Sequence, residues 1–453
     1  MNVALIGAGW AGLAAALTLK DLGAHVTVFE AAPVTGGRAR GVDDIHMGRI
    51  DNGQHLMLGA YTESLKIIES LHPRLSLSQL LVREPLLLES ADGSFRLHAP
   101  ALPAPLNTLA AIWSAKGLGM KDRYKAFRFM LQCRLSGWCA KENETVHALL
   151  LRHNQSEQLA RKLWTPLCLA ALNTPIHNAC AQLFLNVLRD SLAGKRQASD
   201  LLIPRVDLTQ LWPAAAAECF TMRARHIVRA VRAHAQYVEV DGERYDACIV
   251  ATPPYAAARI LFDPVNQTTQ TAPLTPLAQS ESALLRILQS FEYRSIATLA
   301  LELESPWRLP RTMMMLDEDA HRGHVGQWVF NRTDQNRQLT VVVSDATDFL
   351  KLDREAFVEA IARQIREQCA KHPESNGPMP AVKHQRLIVE KRATFDAVPG
   401  LGRPSNQSPW ARIALAGDWT DTGYPAVLEG AVRSGIAAAY VLEKHLSAEW
   451  QPL

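Results

Sequence analysis

A glycine-rich hexapeptide near the N terminus has the spacing of a nucleotide-binding turn. Gly7, Gly9 and Gly12 fit G-x-G-x-x-G, directly after the apolar run 3–6 and at the start of a helix-like stretch. The first glycine permits a tight turn, the second lets a pyrophosphate approach the backbone, and the third lets helix and strand pack closely. Glu30, 18 residues after Gly12, ends the next β-rich run, where a carboxylate suits ribose hydroxyls. The spacing therefore predicts a dinucleotide site.

The segment 36–40 provides a second pair of glycines, beside two arginines. It reads Gly-Gly-Arg-Ala-Arg and follows a turn-like Pro-Val-Thr. An arginine can bind two phosphate oxygens at once, and glycines let a loop pass close to a pyrophosphate. Gly37 and Arg38 are therefore predicted to bind the cofactor, with Arg40 as a second cation. A solvated basic loop is the alternative, which the neighbouring nucleotide motif disfavours.

A Gly-Asp pair near the C terminus indicates which dinucleotide is bound. Gly417 and Asp418 follow the apolar run 413–416, and a carboxylate at this edge of a strand can accept hydrogen bonds from ribitol. A long helix is predicted to follow, with Pro425 at its first position. Its N-terminal dipole end, at Ala426, would favour negative charge on a reduced flavin. These features favour FAD over NAD, although Asp418 also fits a simple turn.

The elements that must position these residues alternate between strands and helices. Runs 3–6 and 25–30 are predicted to be strands on either side of a helix over 11–22, which makes a right-handed βαβ unit. Val228 lies in a predicted strand over 225–228 that could flank the adenine. A valine of the hydrophobic core fits the same pattern.

Strand-like segments at both ends and in the middle of the chain indicate one nucleotide domain built from three pieces. The predicted fold class is α/β, with a Rossmann-type FAD-binding domain and an interleaved α+β substrate domain. The mainly helical stretch 105–200 is expected to form a cap over the substrate. The FAD-binding domain is predicted to span 1–75, 203–262 and 390–453, and the substrate domain 76–202 and 263–389.

The composition is that of an ordinary globular protein. Of 453 residues, 48% are hydrophobic and 21% charged, and a formal net charge of +3 gives no field that would attract nucleic acid. Seven cysteines occur without a Cys-x-x-Cys motif, so neither a metal site nor a redox pair is predicted. Residues 1–19 carry no charged side chain and are largely apolar, but they lack the basic start of a signal peptide. A cytoplasmic protein with reduced thiols is therefore expected.

Several motifs together resemble a known group of flavoenzymes. The stretches GAGWAGLAAA, GGRAR, IVATPP, AGDW and GYPAVLEGAVRSG are similar to the flavin amine oxidase and phytoene desaturase superfamily. Within it, the chain resembles the squalene-associated FAD-dependent desaturases, also known as hydroxysqualene dehydroxylases. This closer resemblance rests on DNGQH (51–55), LWTPLCLAALNTP (163–175), IPRVDLTQLWP (203–213) and KRATFDAVPG (391–400), and is weakest over 263–385.

The resemblance implies FAD-dependent reductive removal of the allylic hydroxyl group of hydroxysqualene, giving squalene for hopanoid biosynthesis. The substrate would be a long apolar isoprenoid. Because no Cys-His attachment motif is present, FAD is expected to bind non-covalently. The alternatives are a carotenoid or polyprenoid desaturase, a flavin amine oxidase and a prenyl-binding escort protein without activity. No aromatic pair in the sequence can be assigned to an amine-oxidase cage, and the motifs specify neither the reaction direction, the electron donor nor the oligomeric state.

Removing a hydroxyl group requires a proton donor near the reacting carbon. His55 is a candidate because its loop follows the second glycine pair. Asp421 and Tyr424 are candidates from the loop before the last helix. Each of these side chains also fits an ordinary structural role.

A basic amphipathic segment indicates a second kind of partner. Apolar residues recur at helical spacing, followed by several lysines and arginines: Leu106, Leu109, Ala110, Trp113 and Gly117, then Lys116, Lys121, Arg123, Lys125 and Arg128. Such a segment can lie on an anionic membrane, so peripheral contact with the inner membrane is one expectation. A core-facing helix with a solvated basic edge is the other.

Overall fold

The structure is a computed structural model that describes residues 1–262, 276–332, 337–347 and 353–449. The predicted start of the second substrate segment, at 263, lies outside these residues. The helices are α1 (Trp10–Asp21), α2 (Thr62–Leu71), α3 (Leu77–Leu80), α4 (Leu106–Ser114), α5 (Met120–Leu135), α6 (Val146–Arg152), α7 (Glu157–Leu159), α8 (Thr165–Leu172), α9 (Ala181–Leu192), α10 (Leu208–Leu211), α11 (Pro213–Ala217), α12 (Pro254–Leu261), α13 (Pro276–Gln289), α14 (Arg354–Cys369) and α15 (Leu428–Glu449).

The strands are mostly short, and the two longest belong to the same sheet. They are β1 (Asn2–Ile6), β2 (His25–Glu30), β3 (Gly41–Asp44), β4 (Gly48–Asp51), β5 (Met57–Leu58), β6 (Leu81–Glu84), β7 (Leu87–Glu89), β8 (Arg96–His98), β9 (Leu201–Pro204), β10 (Thr221–Ala224), β11 (Val231–Ala233), β12 (Val238–Val240), β13 (Glu243–Tyr245), β14 (Ala247–Val250), β15 (Tyr293–Leu303), β16 (Met313–Met315), β17 (Trp328–Asn331), β18 (Gln338–Ser344), β19 (Val382–Phe395) and β20 (Ile413–Leu415).

A parallel sheet holds the two ends of the chain together. Its strand order is β10-β2-β1-β14-β20, and every neighbouring pair is parallel. The inner strands β1 and β14 are buried almost throughout, as expected for strands covered on both faces. Because the strands come from three distant parts of the chain, the predicted three-segment Rossmann-type α/β fold is confirmed. The domain boundaries stay a prediction.

Helix α1 packs against the sheet and against α15. A Cβ added at Gly435 in α15 would lie 2.0 Å from the carbonyl oxygen of Ala11 in α1. Only glycine therefore allows the two helices to approach this closely. The contact fixes the C-terminal helix beside the N-terminal glycine turn.

Two predicted elements are placed wrongly by the sequence patterns. The predicted strand over 225–228 is instead Thr221–Ala224, and the chain leaves the sheet at Arg225, whose φ of 58° is left-handed. Val228 therefore lies after the strand. The last helix begins at Leu428, so Pro425 is not its first residue. The first hydrogen bond of the helix runs from Ala431 N–H to the Val427 carbonyl.

A second, antiparallel sheet has the order β16-β17-β18-β15-β19. Side chains alternate between its two faces, as the pleat requires. Leu299 and Val329 belong to one face, which packs in a core that includes residues of α14. Ile296, Trp328 and Phe330 belong to the other face, which forms part of the wall of a large cavity.

Candidate active site

A cavity of about 710 Å³ lies at the carboxyl ends of the parallel strands. This is where ligands bind in open α/β sheets. The lining includes most of the residues singled out from the sequence: Gly7, Gly9, Glu30, Gly37, Arg38, His55, Val228, Gly417, Asp418, Tyr424 and Ala426. Gly12 and Asp421 are not part of it.

The N-terminal glycines have three different surroundings, which match their three predicted roles. Gly7 has a φ of 103°, and a Cβ there would lie 2.7 Å from the carbonyl oxygen of Ala251. A Cβ at Gly12 would lie 1.9 Å from the carbonyl oxygen of Gly7. A Cβ at Gly9 would meet only Gly37 Cα at 3.9 Å, so the space over Gly9 is open for a ligand.

The second glycine pair lies directly against the first turn. Gly36 N–H donates to the Ala8 carbonyl at 2.9 Å, and a Cβ on Gly37, whose φ is 62°, would lie 3.1 Å from Gly9 Cα. No side chain caps the N terminus of α1. The two loops therefore form a narrow cradle with free helical N–H groups, which fits the pyrophosphate of FAD.

Glu30 is held at the end of β2 by the backbone on both sides. Its carboxylate accepts hydrogen bonds from Ala8 N–H and from Ala32 N–H, each at 2.7 Å. The carboxylate is thereby fixed beside the glycine cradle and still lines the cavity. This position fits hydrogen bonds to ribose hydroxyls of the dinucleotide.

The two arginines of the segment 36–40 differ in their hydrogen bonding. Arg38 Nη2 donates to both carboxylate oxygens of Asp418 at 2.7 Å, and its Nη1 donates to the Ala393 carbonyl at 2.8 Å. The buried Nε of Arg40 has no hydrogen-bond partner among the described residues, nor has the buried hydroxyl of Thr252. Both residues line the cavity. Arg40 therefore has an unused charged donor that fits a phosphate of FAD.

The loop after β20 is shaped by one glycine and one buried arginine. Gly417 has a φ of 151°, and a Cβ there would lie 2.2 Å from Trp419 Nε1. Arg403 donates to the carbonyls of Asp418 at 2.9 Å and Tyr424 at 2.7 Å. Burial lowers the pKa of Arg403, against the opposing effect of Asp421 and Asp418. Arg403 could not be recognised from the sequence, because a single arginine between prolines and glycines carries no recognisable pattern.

His55 lines the cavity, and one of its ring nitrogens already makes a hydrogen bond to the backbone. Its Nδ1 lies 2.9 Å from the Gly53 carbonyl, which can only accept, so Nδ1 carries the proton. Burial lowers the pKa of His55, Arg38 acts in the same direction, and Asp51 opposes them. The imidazole is therefore neutral near pH 7, with Nε2 free to accept a proton.

The other two predicted proton donors are in contrasting places. The Tyr424 hydroxyl lines the cavity and donates to Asp190 Oδ2 at 2.6 Å. Burial and this hydrogen bond raise the pKa of Tyr424 to about 12. Asp421 is exposed and outside the cavity lining, so nothing in its position supports an acid role. Asp190, in α9, could not be recognised from the sequence, because it is one of many polar residues in the helical segment.

The part of the cavity away from the glycine cradle is apolar. Helices α8 and α9, strand β7 and the second sheet supply its walls, which include Leu88, Leu167, Phe184, Leu188, Trp328 and Phe330. A π-helical turn, Ala160–Trp164, joins α7 to α8. The cavity thus combines a polar nucleotide cradle with space that fits a hydrocarbon ligand.

Sequence comparison identifies relatives along the whole chain. The family described as flavin containing amine oxidoreductase matches residues 10–442. A hydroxysqualene dehydroxylase of Rhodopseudomonas palustris is 29% identical, with 97% of each chain covered. One of Zymomonas mobilis is 27% identical, with 97% of this chain and 99% of the relative covered. Carotenoid desaturases match at lower identity, so the predicted resemblance is confirmed.

Solved structures share the fold at low sequence identity. Cyclohexylamine oxidase from Brevibacterium oxydans superposes with a TM-score of 0.68 and 18% identity, covering 98% of this chain and 99% of the oxidase. Because nearly the whole chain is covered, the similarity includes the parallel sheet, the second sheet and helices α4 to α9.

Proposed function

The chain belongs to the flavin containing amine oxidoreductases, and from that premise we propose that it uses FAD to convert hydroxysqualene to squalene. One observation carries the proposal: a single cavity joins a dinucleotide cradle to an apolar compartment. Relatives that cover the whole chain are named hydroxysqualene dehydroxylases. An escort protein would not need the open space over Gly9 or the unused donor of Arg40.

In the proposed reaction, the C–O bond of the allylic alcohol breaks, a hydride forms the new C–H bond, and the hydroxyl group leaves as water with one added proton. FAD held by the cradle of Gly9 and Gly37 would, after reduction by an external donor, supply the hydride. The apolar walls keep water away from the reacting carbon. We assign the transfer of this proton to His55: because its Nδ1 is fixed on Gly53, its Nε2 first takes up a proton from solvent and then passes it to the leaving hydroxyl group.

Peripheral membrane contact is the second part of the proposal, and helix α4 supports it. Leu106 and Trp113 are 56% and 49% exposed, whereas the polar Asn107 and Thr108 are buried. Leu106 and Trp113 therefore face outward, while Ala111 and Ile112 of the same helix are buried in the core. Further exposed apolar residues follow among the basic residues of α5 and the turn before it: Met120, Tyr124, Leu131 and Leu135.

Helix α4 is attached to the wall of the apolar compartment. The Thr108 hydroxyl donates to the Leu192 carbonyl at 3.0 Å, and the Asn107 amide donates to the Ser199 hydroxyl at 3.4 Å. Leu192 and Ser199 both line the cavity. We therefore propose that α4 and α5 rest on the cytoplasmic face of the membrane, beside the compartment for the apolar substrate. Among the described residues, no helix has the length and apolar character needed to cross a bilayer.

Product identification tests the proposed reaction. Purified protein loaded with FAD is reduced chemically without oxygen, mixed with hydroxysqualene, and extracted for mass spectrometry. Squalene is the expected product. Desaturated polyprenes from an oxidised sample would instead favour a desaturase, and peroxide released from amines would favour an amine oxidase. A His55→Gln protein should retain FAD and form squalene more slowly; an unchanged rate would remove His55 from the mechanism.

A further inference from the structure

Two tyrosines from opposite ends of the chain meet at one part of the cavity wall. Tyr61 and Tyr424 both line the cavity. Arg433 of α15 connects them, because its Nη2 donates to the Thr62 hydroxyl at 3.1 Å and its guanidinium lies 5.2 Å from the ring centre of Tyr424. Glu429, one turn earlier, accepts from two backbone N–H groups at the start of α2, each at 3.0 Å. Helix α15 thus fixes both tyrosines relative to each other.

The two hydroxyl groups have complementary hydrogen-bonding capacity. The Tyr424 proton is committed to Asp190, so its oxygen is left as an acceptor. The Tyr61 hydroxyl has no hydrogen bond within the described ranges, so its proton is available. Burial, together with the charge of Glu429, raises the pKa of Tyr61, which keeps that proton in place. Tyr61 is half-buried in the cavity wall, so a ligand that displaces water there and accepts from its hydroxyl group is stabilised.

We propose that Tyr61 and Tyr424 form the recognition site for the substrate's hydroxyl group. Tyr61 donates to the alcohol oxygen, and the Tyr424 oxygen accepts the alcohol proton. The inference rests on the proposed function, since it assigns the protein groups that distinguish an alcohol substrate from a hydrocarbon product. Squalene can make neither hydrogen bond and leaves Tyr61 unpaired. A site built in this way rejects the analogue that lacks the hydroxyl group, which favours product release.

Helix α9 supplies the positioning residues for Tyr424. Asn186 and Asp190 lie one turn apart, and the Asn186 amide donates to the Gly423 carbonyl at 2.8 Å while Asp190 accepts from the tyrosine. Arg189 also donates to Asp190, at 2.6 Å. Burial by itself raises the pKa of Asp190, but the bonds from Arg189 and Tyr424 lower it overall. Asp190 therefore stays an acceptor and keeps the Tyr424 proton turned away from the substrate.

Binding measurements on the oxidised protein test this site without turnover. Hydroxysqualene and squalene are each titrated into FAD-loaded protein, and the change in flavin absorbance gives the two affinities. The wild type should prefer the alcohol. Tyr61→Phe should reduce that preference by about fivefold to tenfold, the effect of one neutral hydrogen bond. Tyr440→Phe, which removes an exposed hydroxyl on α15, is the matched control and should leave the preference unchanged.

The outcomes separate this site from the proposed reaction. If the wild type shows no preference for the alcohol, or if Tyr61→Phe keeps the full preference with FAD bound, the hydroxyl site is overturned. The turnover assay, which detects squalene, tests the proposed reaction independently of binding. Squalene formation by a protein without alcohol preference rejects the site alone, whereas a Tyr61-dependent preference without squalene formation rejects the reaction and leaves the site standing.

Discussion

Arg38 and Asp418, separated by 380 residues in the sequence, are joined by two hydrogen bonds of 2.7 Å at the wall of the cavity. Their motifs predict two separate contacts with FAD, one to the pyrophosphate and one to the ribitol. In the structure the residues form one ion pair that ties the N-terminal glycine loop to the C-terminal Gly-Asp loop. The pair therefore shapes this part of the cavity from both ends of the chain.

Removing the carboxylate tests this ion pair. Asp418→Asn should lower the free energy of unfolding by about 1–2 kcal/mol, a modest value because the Arg38 side chain is 36% exposed and solvent screens the pair. FAD affinity should fall as well, because the two loops lose their connection. Urea unfolding and flavin titration measure these effects. Glu359→Gln, which removes a surface pair with Arg366, should change neither quantity.

The glycine turn allows folding to be separated from cofactor binding. Gly9→Ala should fold normally but bind FAD at least tenfold more weakly, because the new methyl group enters open space that the pyrophosphate would use. Gly12→Ala should instead fail to fold stably, because its Cβ would lie 1.9 Å from a carbonyl oxygen. Gly119→Ala, with no atom within 4 Å, is the control. Circular dichroism and flavin titration measure the two effects; normal FAD affinity in Gly9→Ala would contradict the assignment of the cradle.

The environment of His55 predicts a pH effect on the stability of the FAD-free protein. Because burial lowers the pKa of His55 in the folded state, the unfolded chain takes up a proton first as the pH falls. His55 thus destabilises the folded protein below about pH 6.5, the pKa of histidine in the unfolded chain. Above that pH this effect disappears. His55→Gln should lose less stability than wild type between about pH 7.5 and pH 5.5. Urea unfolding at both pH values measures this, and the exposed His25→Gln should behave as wild type.

The exposed Leu106 and Trp113 of α4 predict a change in membrane binding. The wild type should float with anionic liposomes, and the double variant Leu106→Glu with Trp113→Glu should remain at the bottom of the gradient. High salt should weaken the wild-type interaction, because part of it is electrostatic. Ile45→Glu, at a position that is 93% exposed on another part of the surface, should float like the wild type. Equal flotation of the α4 variant would reject this docking surface.

The fold was largely predictable because its signals are local. The turn at Gly7, the strand ended by Glu30 and the close contact at Gly12 all follow from short-range patterns, and each is found as expected. The errors arose where backbone geometry overrode the pattern. The apolar run 225–228 resembles a strand, but the left-handed Arg225 takes it out of the sheet.

The rest of the site depends on contacts that no local pattern encodes. Tyr61, Asp190 and Arg403 are single polar residues in unremarkable segments, and their roles come from partners far away in the sequence. Arg38 was recognised as a cation but not as the partner of Asp418. Only the packed arrangement of α9, α15 and the parallel sheet reveals these pairings.

A single-turnover experiment tests the central claim most directly. FAD-loaded protein, reduced with one equivalent of reductant and freed of excess, is mixed with hydroxysqualene in the absence of oxygen, while flavin oxidation and squalene are followed together. One squalene should form for each flavin oxidised, and Gly9→Ala, which binds less FAD, should form correspondingly less squalene. Flavin that stays reduced while hydroxysqualene is recovered intact would contradict this claim.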